Sequence, residues 1–151
     1  MSKAELARQN FRSGCNCAQS VLCAFEKESG LDHETALKLA SGFGAGMARM
    51  REVCGAVSGM FMAADLIFGP SDPNDKAAKD AHYAELQKLA AEFRKETGSV
   101  ICRVMLGLEK SGPDDPVSEA RTEAYYRKRP CSELCALAAG ILEKYLDHEI
   151  P

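Results

Sequence analysis

"FGAGMARMREVCGAVSGMFMAADLIF", residues 43–68, passes from a glycine-rich stretch into a run that is apolar nearly all round. Gly44, Gly46, Gly55 and Gly59 crowd about a single thiol, Cys54. Glycine is poor helix material, yet the residues after Gly59 carry no break before Gly69 and Pro70. A helix from about residue 52 to residue 68 with apolar side chains on every face is the buried centre of a helical domain. Gly55 and Gly59 are four apart, so they share a face and let another backbone approach closely. Gly42, Gly44 and Gly46 permit an irregular turn leading in. The expectation is that several helix starts come close together here, with Cys54 and other sulfurs meeting between them.

Helical spacing extends outward in both directions. Ser2 and Glu5 form a capping box for a first helix that Gly14 ends. A second starts near Asn16 and Cys17, carries Val21, Leu22 and Phe25, and stops at Gly30; Asp32 caps a third. Beyond Pro70 and Pro73, Ser71 or Asp72 caps a long amphipathic helix. Its apolar face holds Tyr83, Leu86, Leu89, Ala90 and Phe93, and Gly98 ends it. Ser99 caps a short helix through Leu106. "EKSGPDDPVSE", residues 109–119, reads as a loop, a helical segment spans about 119–126, and Pro130 opens a last helix to about Tyr145. No strand alternation or repeat stands out. The fold expected is all-α, a single-domain bundle of about six to eight helices over residues 1–151.

Composition narrows the function. Net charge is −3, with no clustered basic excess, so no nucleic-acid partner is expected. The opening residues lack an apolar core followed by a cleavage site. The most apolar run is broken by Asp65 and falls short of the ~20 residues that span a bilayer. The expected location is cytoplasmic, with no membrane partner. There, seven cysteines point to metal ligands or redox thiols rather than structural disulfides, and the odd count leaves one unpaired in any all-disulfide scheme.

Four cysteines fall at helix starts: Cys17, Cys54, Cys102 and Cys131. A helix N-terminus presents unpaired N–H groups and partial positive charge, which stabilise thiolate and lower a cysteine pKa. Arg49 and Arg51 precede Cys54, Arg103 follows Cys102, and Arg127, Lys128 and Arg129 precede Cys131. Such cations offset the charge of thiolates around a metal; as ordinary surface residues they would have no such role. Cys15, Cys23 and Cys135 read first as packing, with Cys15 and Cys135 as alternatives for exchange or a spare ligand. His33, His82 and His148 read as solvated. Asp65 reads first as a hydrogen-bond partner of a neighbouring helix start, with a ligand as the alternative partner.

"CGAVSG", residues 54–59, carries a resemblance. The chain resembles a family of redox-active proteins named for one Cys, a Cys-Gly-Ala-x-x-Gly motif and two further Cys. "GCNCAQSVLCAF" resembles its first block through Cys17, "SGFGAGMARMREVCGAVSG" its second, and Cys102 in "VICRVMLG" and Cys131 in "RPCSEL" its last two. The family is similar in part to split-Soret cytochromes; no Cys-x-x-Cys-His is present, so covalent haem is not expected. The resemblance strengthens the choice of these four cysteines without supplying a reaction.

Three functions follow. The first is electron transfer by an iron–sulfur cluster held by Cys17, Cys54, Cys102 and Cys131, with a two-iron cluster preferred and a redox protein as partner. The second is thiol–disulfide exchange by pairs of the same cysteines, against which stands the lack of Cys-x-x-Cys. The third is a structural zinc site, whose ligands usually come in close pairs; here the separations are 37, 48 and 29 residues. A helical domain with buried thiols and no cofactor is the remaining alternative. No general base, phosphate loop or substrate pocket is legible, so no enzymatic reaction is assigned. The glycine faces permit a homodimer.

Overall fold

The computed structural model describes residues 1–108 and 111–150. Its helices are α1 (Lys3–Arg12), α2 (Cys17–Ala24), α3 (Glu26–Ser29), α4 (His33–Leu39), α5 (Gly44–Met47), α6 (Gly55–Phe68), α7 (Lys76–Thr97), α8 (Cys102–Met105), α9 (Glu123–Lys128) and α10 (Cys131–Leu146). The architecture is all-α, as the periodicity predicts. The segments beyond the expected number are the single turns α3 and α5. Among the described residues the only extended pairing is one antiparallel bridge between Val53 and Ile101, and no helix is long and apolar enough to cross a membrane.

The centre is a packed group of four helices. α1 lies along α10 and α2 along α6; α2 also meets α1 and α10, and α10 meets α6; α7 covers α10 and α6. α2 is buried over nearly its whole length, through Cys17, Ala18, Ser20, Val21, Leu22, Cys23 and Ala24. Phe11, Phe25, Phe93, Leu22, Met60, Leu89 and Leu142 fill the core without exposure. Burying side chains of this size stabilises the fold by about 1.5–3 kcal/mol each before entropy is counted.

Small residues set how close the helices come. A Cβ on Gly59 would sit 2.5 Å from the Ala18 carbonyl oxygen, and one on Gly55 would sit 2.9 Å from Cys17 Cβ. α6 and α2 are therefore in backbone contact, as the four-residue glycine spacing anticipates.

Local signals held at some ends and gave way at others. Asn16 and Gln19 make a reciprocal capping box at α2, and Asp32 caps α4. α6 starts at Gly55 rather than 52, because Glu52 to Cys54 pair with the 100–102 segment instead of coiling. Asp75, not Ser71 or Asp72, caps α7 by accepting from Ala78 N at 3.0 Å; Asp72 closes the preceding turn onto Asn74 N. Ser99 accepts from Ile101 N within a turn, and α8 begins only at Cys102. Thr122 caps α9, which lies later than the 119–126 expected. Residues 111–120 are non-helical, while Glu109 and Lys110 of the expected loop lie outside the described residues.

α7 corrects two side-chain readings. Tyr83 is exposed, and the buried face is His82, Leu89 and Phe93. His82 is not solvated: its Nε2 lies 2.6 Å from Asp65 Oδ1 on α6, and its ring meets Phe68 edge-on at 5.6 Å. The odd polar residue of the apolar helix is thus the partner of a buried histidine.

Two glycine substitutions read out the packing with opposite signs. Gly59→Ala forces α6 off α2 and lowers stability by about 1–3 kcal/mol. Gly140→Ala adds a methyl at an ordinary 3.7 Å from Ala4 Cβ and raises stability by up to about 1 kcal/mol through helix propensity. Urea midpoints at unchanged slope measure both.

A cysteine cavity ringed by arginine

Each of the four cysteines is placed by its own local device. Cys17 is the first residue of α2, held by the Asn16 cap. The Asn16 side chain also donates to the carbonyls of Ala40 and Ser41, at 3.3 and 3.2 Å, and fills the space that a Cβ on Gly44 would occupy. Cys54 is the N-cap of α6; its N–H donates to the Val100 carbonyl at 2.8 Å. Cys102 opens α8, its N–H donating to the Glu52 carbonyl at 2.6 Å. The Val53–Ile101 bridge thus ties Cys54 and Cys102 side by side. Cys131 opens α10 behind Pro130.

All four line one cavity of about 130 Å³, close to the ~150 Å³ that admits a molecule the size of benzene. Each of the four is mostly buried. The Cys17 and Cys131 thiols are hydrogen-bond neighbours. Among the described residues, no three of the four sulfurs lie all within 4.8 Å of one another. The helix-start reading is accurate for position, although α8 is a single turn and supplies little dipole.

The lining also holds Arg49, Arg51, Arg121 and Arg129. Of the basic residues singled out in the sequence, Arg103, Arg127 and Lys128 do not reach the cavity; Arg103 bonds Glu52 and the Met50 carbonyl instead. Arg51 is buried, donates to Cys102 Sγ at 3.8 Å and pairs with Asp114 at 2.8 Å. Arg49 donates to the Asp115 carbonyl at 2.7 Å, and Arg129 pairs with Glu119. Arg121 was not legible: no local pattern marks it. Its guanidinium lies 4.3 Å over the Phe11 ring and 5.0 Å over Tyr125, and donates to the Phe11 and Cys15 carbonyls. Tyr125 packs on Phe11 and also faces the cavity.

A backbone rarity carries two of these arginines. Ala45, Gly46, Met47, Ala48, Arg49 and Arg51 all have positive φ, between 49° and 69°. Left-handed backbone costs non-glycine residues roughly 1–2 kcal/mol each, and such strain gathers at functional sites. The segment is held by Glu52 N–H on the Gly46 carbonyl at 2.8 Å and Asp114 N–H on the Arg49 carbonyl at 2.9 Å. Gly46 is required there, since a Cβ would meet Cys102 Cβ at 2.7 Å.

The expected lowering of the thiol pKa values is overturned. Burial pushes Cys54 up to about 12, against the N–H groups of Ala56 and Val57 that favour its thiolate. Burial also raises Cys102, with Arg51 opposing. Cys131 is raised by its hydrogen bond to Cys17 and then by burial. At Cys17 that same bond favours the thiolate, but contact with Cys135 and complete burial outweigh it, and the direction is upward. Desolvation and crowding of like groups exceed the helix-end field.

The other three cysteines stand apart. Cys135 lies beneath the site, fully buried, with its thiol 3.7 Å from the Cys17 carbonyl. Cys23 is buried and Cys15 half-buried, and neither lines the cavity. All seven thiols are free.

No curated protein and no solved structure matches the chain. A family model does, over residues 15–145, a span holding all four cavity cysteines. That span is most of the chain, and the protein belongs to the family described as "Putative redox-active protein (C_GCAxxG_C_C)".

Proposed function

We propose that this is an electron-transfer protein whose Cys17, Cys54, Cys102 and Cys131 hold an iron–sulfur cluster, with a two-iron cluster preferred. The observation that carries the reading is the presence of four mostly buried cysteines around one cavity. A single zinc ion, with Zn–S near ~2.3 Å, draws its ligands to within about 4 Å of one another. Sulfurs that bind different irons stand further apart, with room between them. The cysteines also fall into two pairs: Cys17 with Cys131 through their thiols, and Cys54 with Cys102 through the backbone bridge. Two ligands for each of two irons is the Cys₄ pattern of a two-iron cluster.

A bound cluster supplies a one-electron couple. The chain's own groups do the rest. The thiols give up their protons on binding, which the raised pKa values otherwise oppose. Arg51, donating toward Cys102, and Arg129, close to Cys131, offset the negative charge of the thiolates. Phe11, Leu134 and Tyr125 exclude water from the lining. The partner is a redox protein, in a reducing cytoplasm that keeps the thiols available. Thiol–disulfide exchange is the second reading, favoured by the Cys17–Cys131 contact and opposed by the suppressed thiolates.

Anaerobic purification with metal and sulfide analysis tests the assignment. The expected result is about two irons and two labile sulfides per chain, a brown colour, and loss of both in Cys54→Ser but not in Cys15→Ser. Zinc alone overturns the reading. Metal-free protein whose Cys17 and Cys131 cycle reversibly to a disulfide favours exchange.

The arginine ring has an electrochemical signature. Arg129→Gln removes a positive charge that favours the reduced, more negative state. The midpoint potential falls by on the order of 50 mV, about a tenfold change in a one-electron equilibrium constant.

The metal-free protein has a pH signature. The folded state holds the Cys54 proton more tightly than the unfolded chain, with a pKa near 12 against the ordinary 9.0. Stability is full below pH 9 and falls as pH rises toward 12, because there the unfolded state binds fewer protons. Denaturant midpoints under reducing conditions decline across that window, and Cys54→Ala flattens the decline.

A further inference from the structure

A second set of donor atoms lies outside the cavity. The sulfur of Cys23, a carboxylate oxygen of Glu26 and a ring nitrogen of His33 all lie within 4.8 Å of one another. They come from three elements: the last turn of α2, the start of α3 and the start of α4. Gly30, at φ +76°, turns the chain between the second and third. Glu26 Oε1 is 2.5 Å from His33 Nδ1, and Cys23 is in hydrogen-bond contact with the same carboxylate. None of the three lines the cysteine cavity, and Cys23 is not one of the four cysteines of the family pattern.

The graded exposure resembles a metal site with an open face. Cys23 is buried, Glu26 is half-buried and His33 is exposed. A tetrahedral ion with bonds of ~2.0–2.3 Å to nitrogen, oxygen and sulfur holds its ligands under about 4 Å apart. Small side-chain rotations from the observed arrangement reach that spacing. An ion pair between Glu26 and His33 alone would explain two of the three groups; it does not explain why a thiol joins them.

We propose that Cys23, Glu26 and His33 form a second metal site, taking a zinc-class divalent ion with three protein ligands and one position open to water. The donor set decides the class. A thiolate and an imidazole select borderline first-row ions, whereas magnesium and calcium take oxygen ligands. On binding, the Cys23 S–H bond breaks, its proton leaves to solvent and a sulfur–metal bond forms; no electron moves. His33 coordinates as neutral imidazole through the nitrogen that now meets Glu26. Three protein ligands with a free fourth position is the arrangement of reactive rather than purely structural zinc.

Cobalt titration of the reduced full-length chain tests the site, with Co²⁺ as the probe. Wild type is compared with His33→Asn and Glu26→Gln, so that binding by the central cysteines is common to all three. His33 is exposed, and far-UV circular dichroism confirms that its variant is folded. The expected result is one more equivalent of Co²⁺ in wild type, with sulfur-to-cobalt absorption, weakened about tenfold or more in each variant. Equal stoichiometry and affinity in wild type and both folded variants overturns the proposal. The iron–sulfur reading stands or falls separately, on the Cys54→Ser variant.

Discussion

The structure depends on the absence of side chains between α2 and α6. Gly55 faces Cys17 and the Phe43 carbonyl, and Gly59 faces the Ala18 carbonyl, each at separations no Cβ tolerates. Backbone contact there brings the N-terminus of α2 level with that of α6, so Cys17 and Cys54 open into one space. α1 and α10 then close around the pair, and α10 delivers Cys131 to the same mouth. Close-packed interiors are not elastic. A methyl group at either glycine separates the sulfurs as well as the helices.

A second constraint is electrostatic. Four mostly buried thiols around one cavity are costly to ionise, and helix-end fields do not overcome that cost here. The compensation comes from guanidinium groups, and the chain spends backbone strain to place them. Residues 45–51 run almost wholly left-handed, and Arg49 and Arg51 emerge from that run facing the cavity. Asp114 and Asp115 steady them from across the loop. Arg121 and Arg129 also line the cavity, each over the Tyr125 ring. The site is thus a sulfur-lined interior with a cationic rim.

Much of this was legible in the sequence, for identifiable reasons. The helices announce themselves through spacing and caps, and Asn16 and Asp32 act locally as their chemistry dictates. The four cysteines were found because each sits at a helix start, a position that sequence marks. What was not legible is tertiary. Nothing near His82 reveals that Asp65, on another helix, will draw it into the core. Nothing near Arg121 reveals that carbonyls of Phe11 and Cys15 await it. The start of α6 was misread because Val53 finds its partner at Ile101, far along the chain. The thiol pKa direction was misread because the helix-end field is visible locally and burial is not.

The sequence separations of the four cysteines also bear on how site and fold relate. In a small zinc module, ligands arrive in close pairs and the metal gathers a chain that cannot fold alone. Here the four cysteines lie 37, 48 and 29 residues apart, and they meet where the starts of α2, α6, α8 and α10 come together. The core that packs them, from Phe11 to Leu142, is apolar and continuous. The cavity lies where the packed helices bring their starts together. The four thiols meet because the helices that carry them do, and anything that shifts α2 against α6 or α10 moves the sulfurs with it.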